Sequence, residues 1–327
     1  MKRLRINLYD PSEYHYGLAC GFMPNLRAYL HEEEKKPCMI IVPGGGYEYA
    51  ASGEADLVAR RFHEAGFQTF VLTYSTNPLR RFPLHTQPMR DVARAIRIVR
   101  QSAEELCCDP ESLILLGFSA GAHACASVCV HHADLDTRED LAEKDGSPYQ
   151  GISCRPLAAF LCYPVITMGE YAHKGSVQAL LGFNPTEEEL NYFSLETQVT
   201  ADTPPCFLWH TADDASVPME NSLQFAMALK KAGVPFAYHL FSHGQHGLSL
   251  SNAEWAKGHF AENYTFEHAG YILKAIQDGK LSADEEELQK IDELAHRVYG
   301  EKEAMPEVSV WPDLALSWLK ALSGRQA

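Results

Sequence analysis

No apolar run in this 327-residue chain is long enough to cross a bilayer; the longest, such as 157–165, fall far short of the ~20 residues a spanning helix needs. Basic residues are scarce against acidic ones, 28 Lys and Arg to 43 Asp and Glu, which leaves a formal charge of −15. Such a chain repels phosphate backbones and anionic lipid, so neither nucleic acid nor a membrane is expected as a partner. Neutral esters and sugars are not excluded, and a homo-oligomer is left open. No apolar segment follows the basic start Met1-Lys2-Arg3-Leu4-Arg5, so no secretory signal is read and a cytoplasmic protein is expected. Cys-x-x-Cys is missing. The nine cysteines are odd in number and lie in apolar surroundings (Cys38, Cys125, Cys129, Cys162, Cys206), the pattern of free buried thiols in a reducing compartment. A Walker loop, a G-x-G-x-x-G fingerprint, internal repeats and low-complexity linkers are also lacking. What remains is 46% hydrophobic, enough for one sizeable core.

Strand and helix patterns alternate along most of the chain. Apolar or β-branched runs predict strands at 38–42, 67–74, 113–116, 157–163, 206–210 and 236–241. Helices are predicted at 55–64, 120–130, 219–231 and 313–322. Another is predicted around Met89, Val92, Ala93, Ile96 and Val99, with Arg90, Arg94, Arg97 and Arg100 on its other face. Helices of ten or more residues between strands imply parallel pairing with helices on both sheet faces, an α/β fold. Two segments break the rhythm. The stretch 173–200 reads as an irregular excursion, a candidate lid, with one short helix opened by the capping box Thr186…Glu189. The stretch 255–306 reads as a helical insertion whose second helix starts at a box Ser282…Glu285, carries Leu288, Ile291, Leu294 and Val298 as its stripe, and ends at Gly300. The whole, 1–327, is expected to be one domain.

The chemistry concentrates in loops after strands. Gly117-Phe118-Ser119-Ala120-Gly121 lies between a predicted strand and an alanine-rich helix, the setting a nucleophile elbow requires. Its glycines permit a tight turn that lifts Ser119 clear of the sheet, and the helix start offers free amides to an oxyanion. Pro43-Gly44-Gly45-Gly46-Tyr47 follows an earlier strand, where backbone amides can approach a substrate oxygen. A serine needs a base and an orienting carboxylate, expected in the chain order Ser, acid, His. The strand 206–210 runs into Asp213-Asp214, and 236–241 into Ser242-His243-Gly244-Gln245-His246-Gly247. All these groups therefore fall at one sheet edge. The residues alone do not separate Asp213 from Asp214; the unused one is a candidate cap for the helix near Met219. His246 is favoured over His243, and a metal cluster of His239, His243 and His246 is disfavoured. No metal or organic cofactor is implied. His131-His132 reads as the end of a helix. His63, His85, His173, His259 and His268 show no partner by spacing.

With these motifs in view, the chain resembles the acetyl-esterase and xylan-esterase branch of the α/β-hydrolases, which includes bifunctional feruloyl and acetyl esterases. The matching stretches are 43–47, 117–123, 210–218, 221–235, 243–251 and 308–319. The resemblance implies Ser119, Asp214 and His246 as the catalytic triad, with the amides of Gly45, Gly46 and Ala120 as the oxyanion hole and Tyr47 in the substrate-binding loop. It implies hydrolysis of short acyl esters, acetyl first, on carbohydrate such as xylo-oligosaccharides. The chain departs from the branch at Pro43, Ser75 and Ala122, none of them a catalytic group. A prolyl-oligopeptidase-like peptidase and a non-catalytic binding protein of the same fold are the rival readings. Tyr47, Tyr49, Trp255, Phe260 and Tyr264 are candidates for stacking on sugar rings.

Overall fold

Five central strands are apolar on both sides, so two layers of helices must cover them. In β3 (Lys36–Val42), Cys38, Ile40 and Val42 enter one core while Met39 and Ile41 enter the other. The same two-residue alternation splits β4 (Gln68–Thr73), β5 (Cys108–Phe118), β6 (Ala158–Cys162) and β7 (Cys206–Thr211) between the two cores. Together with β1 (Lys2–Asn7), β2 (Asn25–Leu30) and β8 (Phe236–Phe241) they form one eight-stranded sheet in the order β1-β2-β4-β3-β5-β6-β7-β8. From β4 to β8 every pairing is parallel; β1 and β2 add antiparallel at one edge. The computed structural model describes residues 1–32, 34–260 and 263–324. The parts of the expected domain and insertion at 33, 261–262 and 325–327 lie outside the described residues.

One face is covered by α1 (Asp56–Glu64), through Leu57, Val58 and Phe62, and by the C-terminal helix, Trp311–Ser323. The other carries α2 (Gln87–Gln101) and α3 (Ser119–Thr137). After β6 come α4 (Lys174–Leu181) and α5 (Glu187–Phe193), and after β7 comes α6 (Glu220–Ala232), which ends at Gly233 with φ +74°. The chain then adds α7 (Ala253–Ala256), α8 (Glu267–Gln277) and α9 (Glu285–Ala295), and the C-terminal helix is α10. Among the described residues no helix is long and apolar enough to cross a membrane.

Several expectations need correction. The sheet gains an antiparallel β1–β2 pair that the apolar runs do not predict. The helix holding His131 and His132 runs on to Thr137, so both lie in its interior. The arginine face of α2 is not solvated. Arg94 and Arg97 are 8% and 3% exposed, because the end of α3 and the segment after it cover them. Arg94 bonds both Glu143 carboxylate oxygens at 2.7 Å, and Arg97 reaches Asp136 at 2.8 Å and the Leu135 carbonyl at 2.8 Å. The stretch 173–200 holds α4 as well as α5, and Ala179, Leu180, Leu181 and Phe193 pack into the main core. The capping box of α9 is Asp284…Glu287, two residues beyond Ser282…Glu285. That helix stops at Ala295, well before Gly300, and leaves Val298 87% exposed.

Two buried histidines make the fold sensitive to acid. His268 accepts at Nδ1 from the Thr76 amide and hydroxyl, and donates from Nε2 to the Leu18 carbonyl at 2.9 Å. His123 accepts at Nδ1 from the Tyr47 hydroxyl at 2.7 Å and donates to the Phe193 carbonyl at 2.9 Å. Burial pushes both down to about 4 from the ordinary 6.5. The unfolded chain therefore takes up these protons first. Their contribution is fully present above pH ~6.5 and is lost progressively down to about pH 4, roughly 3 kcal/mol for each. Urea unfolding at pH 7 and pH 5 is expected to show a clear loss of stability at pH 5. Equal midpoints would contradict this account.

Candidate active site

The loops that leave the parallel strands at their carboxyl ends converge on one cleft of about 670 Å³. Ser119 follows β5 directly and starts α3 with φ +51°, a left-handed conformation rare for a residue with a Cβ. The neighbouring glycines explain how that turn is tolerated. A Cβ on Gly117 would lie 2.5 Å from Ala122 Cα, and one on Gly121 would collide with the Val42 and Pro43 carbonyls. The start of α3 thus seats directly on the end of β3, which brings the glycine loop against the serine. A Cβ on Gly44 would stand 2.8 Å from Ser119 Cβ. Gly121→Ala is expected to cost about 1–3 kcal/mol, since main chain must shift to admit the methyl, and to depress any Ser119-dependent rate more than tenfold. Chemical denaturation and turnover of the variant check both numbers.

His246 follows β8 and Asp214 follows β7, and both reach Ser119. His246 Nδ1–H donates to Asp214 Oδ2 at 2.6 Å, which leaves Nε2 to accept from the Ser119 hydroxyl at 2.8 Å. The imidazole stands edge-on to the Tyr163 ring, centroids 5.0 Å apart. The other oxygen of Asp214 accepts the Ser216 and Val217 amides at 2.9 and 3.0 Å. Burial alone would raise this carboxyl, but His210, His246 and the Val217 amide outweigh it and hold it well below the usual carboxylate range. These contacts favour the carboxylate form of Asp214. The geometry thus distinguishes the two aspartates. Asp213 is more than half exposed, accepts the Gly244 amide at 2.6 Å and faces His243, so it does not cap the helix near Met219. His239 lies within β8, and its ring packs against Phe207, away from His243 and His246. Among the described residues no group of three or more His, Cys, Asp and Glu side chains is placed to hold a metal ion.

Gly45 and Gly46 line the cleft with φ +116° and +66°, and Ala120 is the first residue after Ser119 in α3. Their amides sit at a helix start and a glycine turn, the two settings that present N–H groups to an anion. Tyr47 is placed differently from its expectation. Its ring is buried, and its hydroxyl is spent on His123, so the side chain anchors the loop from inside and does not face the cleft. Trp255 and Tyr264 are likewise buried; Tyr49 lines the cleft.

Residues without a local signal complete the site. Glu54 is buried behind the glycine loop. It accepts the Gly44 amide at 2.7 Å and the Tyr163 hydroxyl at 2.7 Å, and that hydroxyl accepts the Ser249 amide at 3.0 Å. Burial raises its carboxyl, opposed by those hydrogen bonds and by the nearby His246 and Lys302 charges. One carboxylate thus ties the glycine loop to the ring that flanks His246. His173, the N-cap of α4, lines the cleft from the 173–200 stretch, and Arg297, Tyr299 and Lys302 line it from the segment after α9. Only a three-dimensional neighbourhood reveals these, since they lie over fifty residues from Ser119 in sequence.

Comparison with known proteins bears on the family and the fold. The BD-FAE family model matches residues 26–229. The chain is 46% identical over 269 residues to an endo-1,4-beta-xylanase B of Butyrivibrio fibrisolvens, covering 82% of this chain and 41% of that protein. It is 28% identical over 263 residues to an acetylxylan esterase of Xylanibacter ruminicola, covering 78% and 49%. It therefore spans about half the length of the curated relatives it matches. Among solved structures, an acetyl ester-xyloside bifunctional hydrolase from Caldicellulosiruptor lactoaceticus superposes with a TM-score of 0.70 at 38% identity, covering 85% of this chain and 97% of that one. A carboxylesterase from Lactobacillus plantarum gives 0.65 at 27% identity, covering 87% and 100%. With its mostly parallel sheet and helices on both faces, the chain has the α/β-hydrolase fold and belongs to the BD-FAE family, within an esterase branch of that fold.

Proposed function

We propose that this protein is a serine esterase that removes short acyl groups, acetyl first, from carbohydrate such as xylo-oligosaccharides. The observation that carries the reading is the unbroken relay from Asp214 through His246 to Ser119, 2.6 and 2.8 Å per link, opening on one cleft. His246 takes the Ser119 proton as Oγ attacks the ester carbonyl, and Asp214 stabilises the imidazolium that forms. The Gly45, Gly46 and Ala120 amides bind the tetrahedral oxyanion. Collapse expels the alcohol, which takes the proton from His246, and leaves an acyl-Ser119. Water, deprotonated by His246, then releases the acid.

The carbohydrate part of the reading is supported by the names of the relatives and by the polar lining of the cleft. Glycoside cleavage would need two carboxyl groups free to flank the scissile bond. Among the described residues the two carboxylates lining this cleft are committed elsewhere: Glu54 to Gly44 and Tyr163, Glu48 to Arg80 at 3.0 Å and Lys290 at 2.5 Å. Turnover of 4-nitrophenyl acetate, butyrate and octanoate, followed by acetate release from acetylated xylo-oligosaccharides, tests the reading. Rates are expected to fall steeply from acetate to octanoate, and acetate should appear from the oligosaccharide. Background rates on every ester would overturn it.

A further inference from the structure

The charge of the cleft is opposite to that of the chain. The protein carries a formal −15, yet the wall around Ser119 holds Arg80, Lys174, Arg297 and Lys302. Among the described residues the carboxylates lining that wall are Glu48, already paired with Arg80 and Lys290, and Glu54, whose oxygens accept the Gly44 amide and the Tyr163 hydroxyl and whose charge also acts on Lys302 from beyond ion-pair distance. Arg297 and Lys302 are the informative pair. Among the described residues neither has a carboxylate within the 4.0 Å of an ion pair. Both are instead braced by aromatic faces. The Arg297 guanidinium lies 4.8 Å from the Tyr49 ring centre and 5.4 Å from that of Tyr299. The Lys302 ammonium lies 4.6 Å from the Trp255 ring and 5.4 Å from the Tyr299 ring.

Aromatic faces attract and orient a cation without neutralising it, so both charges remain available to a ligand. The backbone around Lys302 is fixed as well: the Lys302 amide donates to the Ala256 carbonyl at 2.7 Å, and the Met305 amide to that of Ser251 at 3.0 Å. Two oriented cations, partly shielded from water and lining the same cleft as an ester-cleaving serine, form an anion-binding wall. The 255–306 insertion supplies both.

From this geometry we infer that the cleft selects acyl esters whose alcohol part bears a carboxylate, such as an acetylated oligosaccharide with a uronate unit, and that Arg297 and Lys302 bind that carboxylate. This rests on the esterase reading above and adds a substrate class to it. The probe is an acetylated, uronate-bearing xylo-oligosaccharide, compared with the same compound after methyl esterification of the uronate. Acetate release is followed at low and high salt, with 4-nitrophenyl acetate as the neutral reference. The wild type is expected to favour the charged form by about 10-fold in kcat/KM at low salt, and the ratio should shrink as salt screens the attraction. Arg297→Gln combined with Lys302→Met should bring the ratio to about one, whereas Lys302→Arg alone should keep most of it. Thermal melting of each variant confirms that it is folded. Turnover of 4-nitrophenyl acetate without a preference for the charged form overturns the anion site alone, and so does a preference that survives the double variant. No turnover of any ester overturns the esterase reading beneath it.

Discussion

Ser119→Ala is expected to lower kcat/KM on 4-nitrophenyl acetate by about 10⁴-fold or more while leaving the melting temperature nearly unchanged. The rate falls because the variant can form no acyl-enzyme. What survives is general-base attack by water, using His246 and whatever the oxyanion amides still contribute. Stability should hold, because alanine suffers the same φ +51° that serine already endures, and among the described residues the hydrogen bond lost with the hydroxyl is the one to His246 at 2.8 Å. A variant that keeps its melting temperature and its activity within tenfold of wild type would place the nucleophile elsewhere.

Asp214→Asn is expected to cost about 10³–10⁴-fold in kcat, by reversing a tautomer rather than by removing a contact. In the folded protein one carboxylate oxygen accepts two backbone amides, from Ser216 and Val217. An asparagine will keep its carbonyl oxygen there, which turns its amide nitrogen toward His246 Nδ1. Donor would then face donor, so the ring must carry its proton on Nε2, pointing at Ser119, where it no longer acts as a base. Asp213→Asn is the matched control. That side chain is more than half exposed and serves the Gly244 amide, so its loss should change kcat by no more than about threefold. Steady-state kinetics on the two variants therefore separates two adjacent aspartates. Equal effects, or a larger one at Asp213, would contradict the assignment.

Much of this was legible in the chain because parallel α/β folds write their layers locally. The central strands are short apolar runs, the helices between them repeat every three to four residues, and each loop that follows a strand must end on the same sheet edge. The misreadings have equally local causes. The alternation of Leu4 and Ile6 in β1 is masked by flanking basic residues, so this edge strand leaves no clear local signal. Three consecutive glutamates, Glu285 to Glu287, make the capping register of α9 degenerate; Asp284 prevails, and Glu287 also binds Arg81. Arg94 and Arg97 look like a solvated face until the last turn of α3 supplies Asp136 and the segment after it supplies Glu143. Tyr47 looks like a cleft residue until His123, on a helix seventy-six positions away, claims its hydroxyl. Glu54, His173, Arg297 and Lys302 had no periodicity or motif to announce them, because their significance lies wholly in which loops meet.

The proposed activation of Ser119 is the centre of this account, and covalent labelling tests it most directly. The protein is treated with a fluorophosphonate, and the adduct is located by peptide mass mapping in the wild type, in His246→Ala and in urea-unfolded protein. The account predicts one stoichiometric adduct, on Ser119, formed rapidly in the folded wild type and lost in the other two samples. No adduct, or one on a different residue, would contradict it.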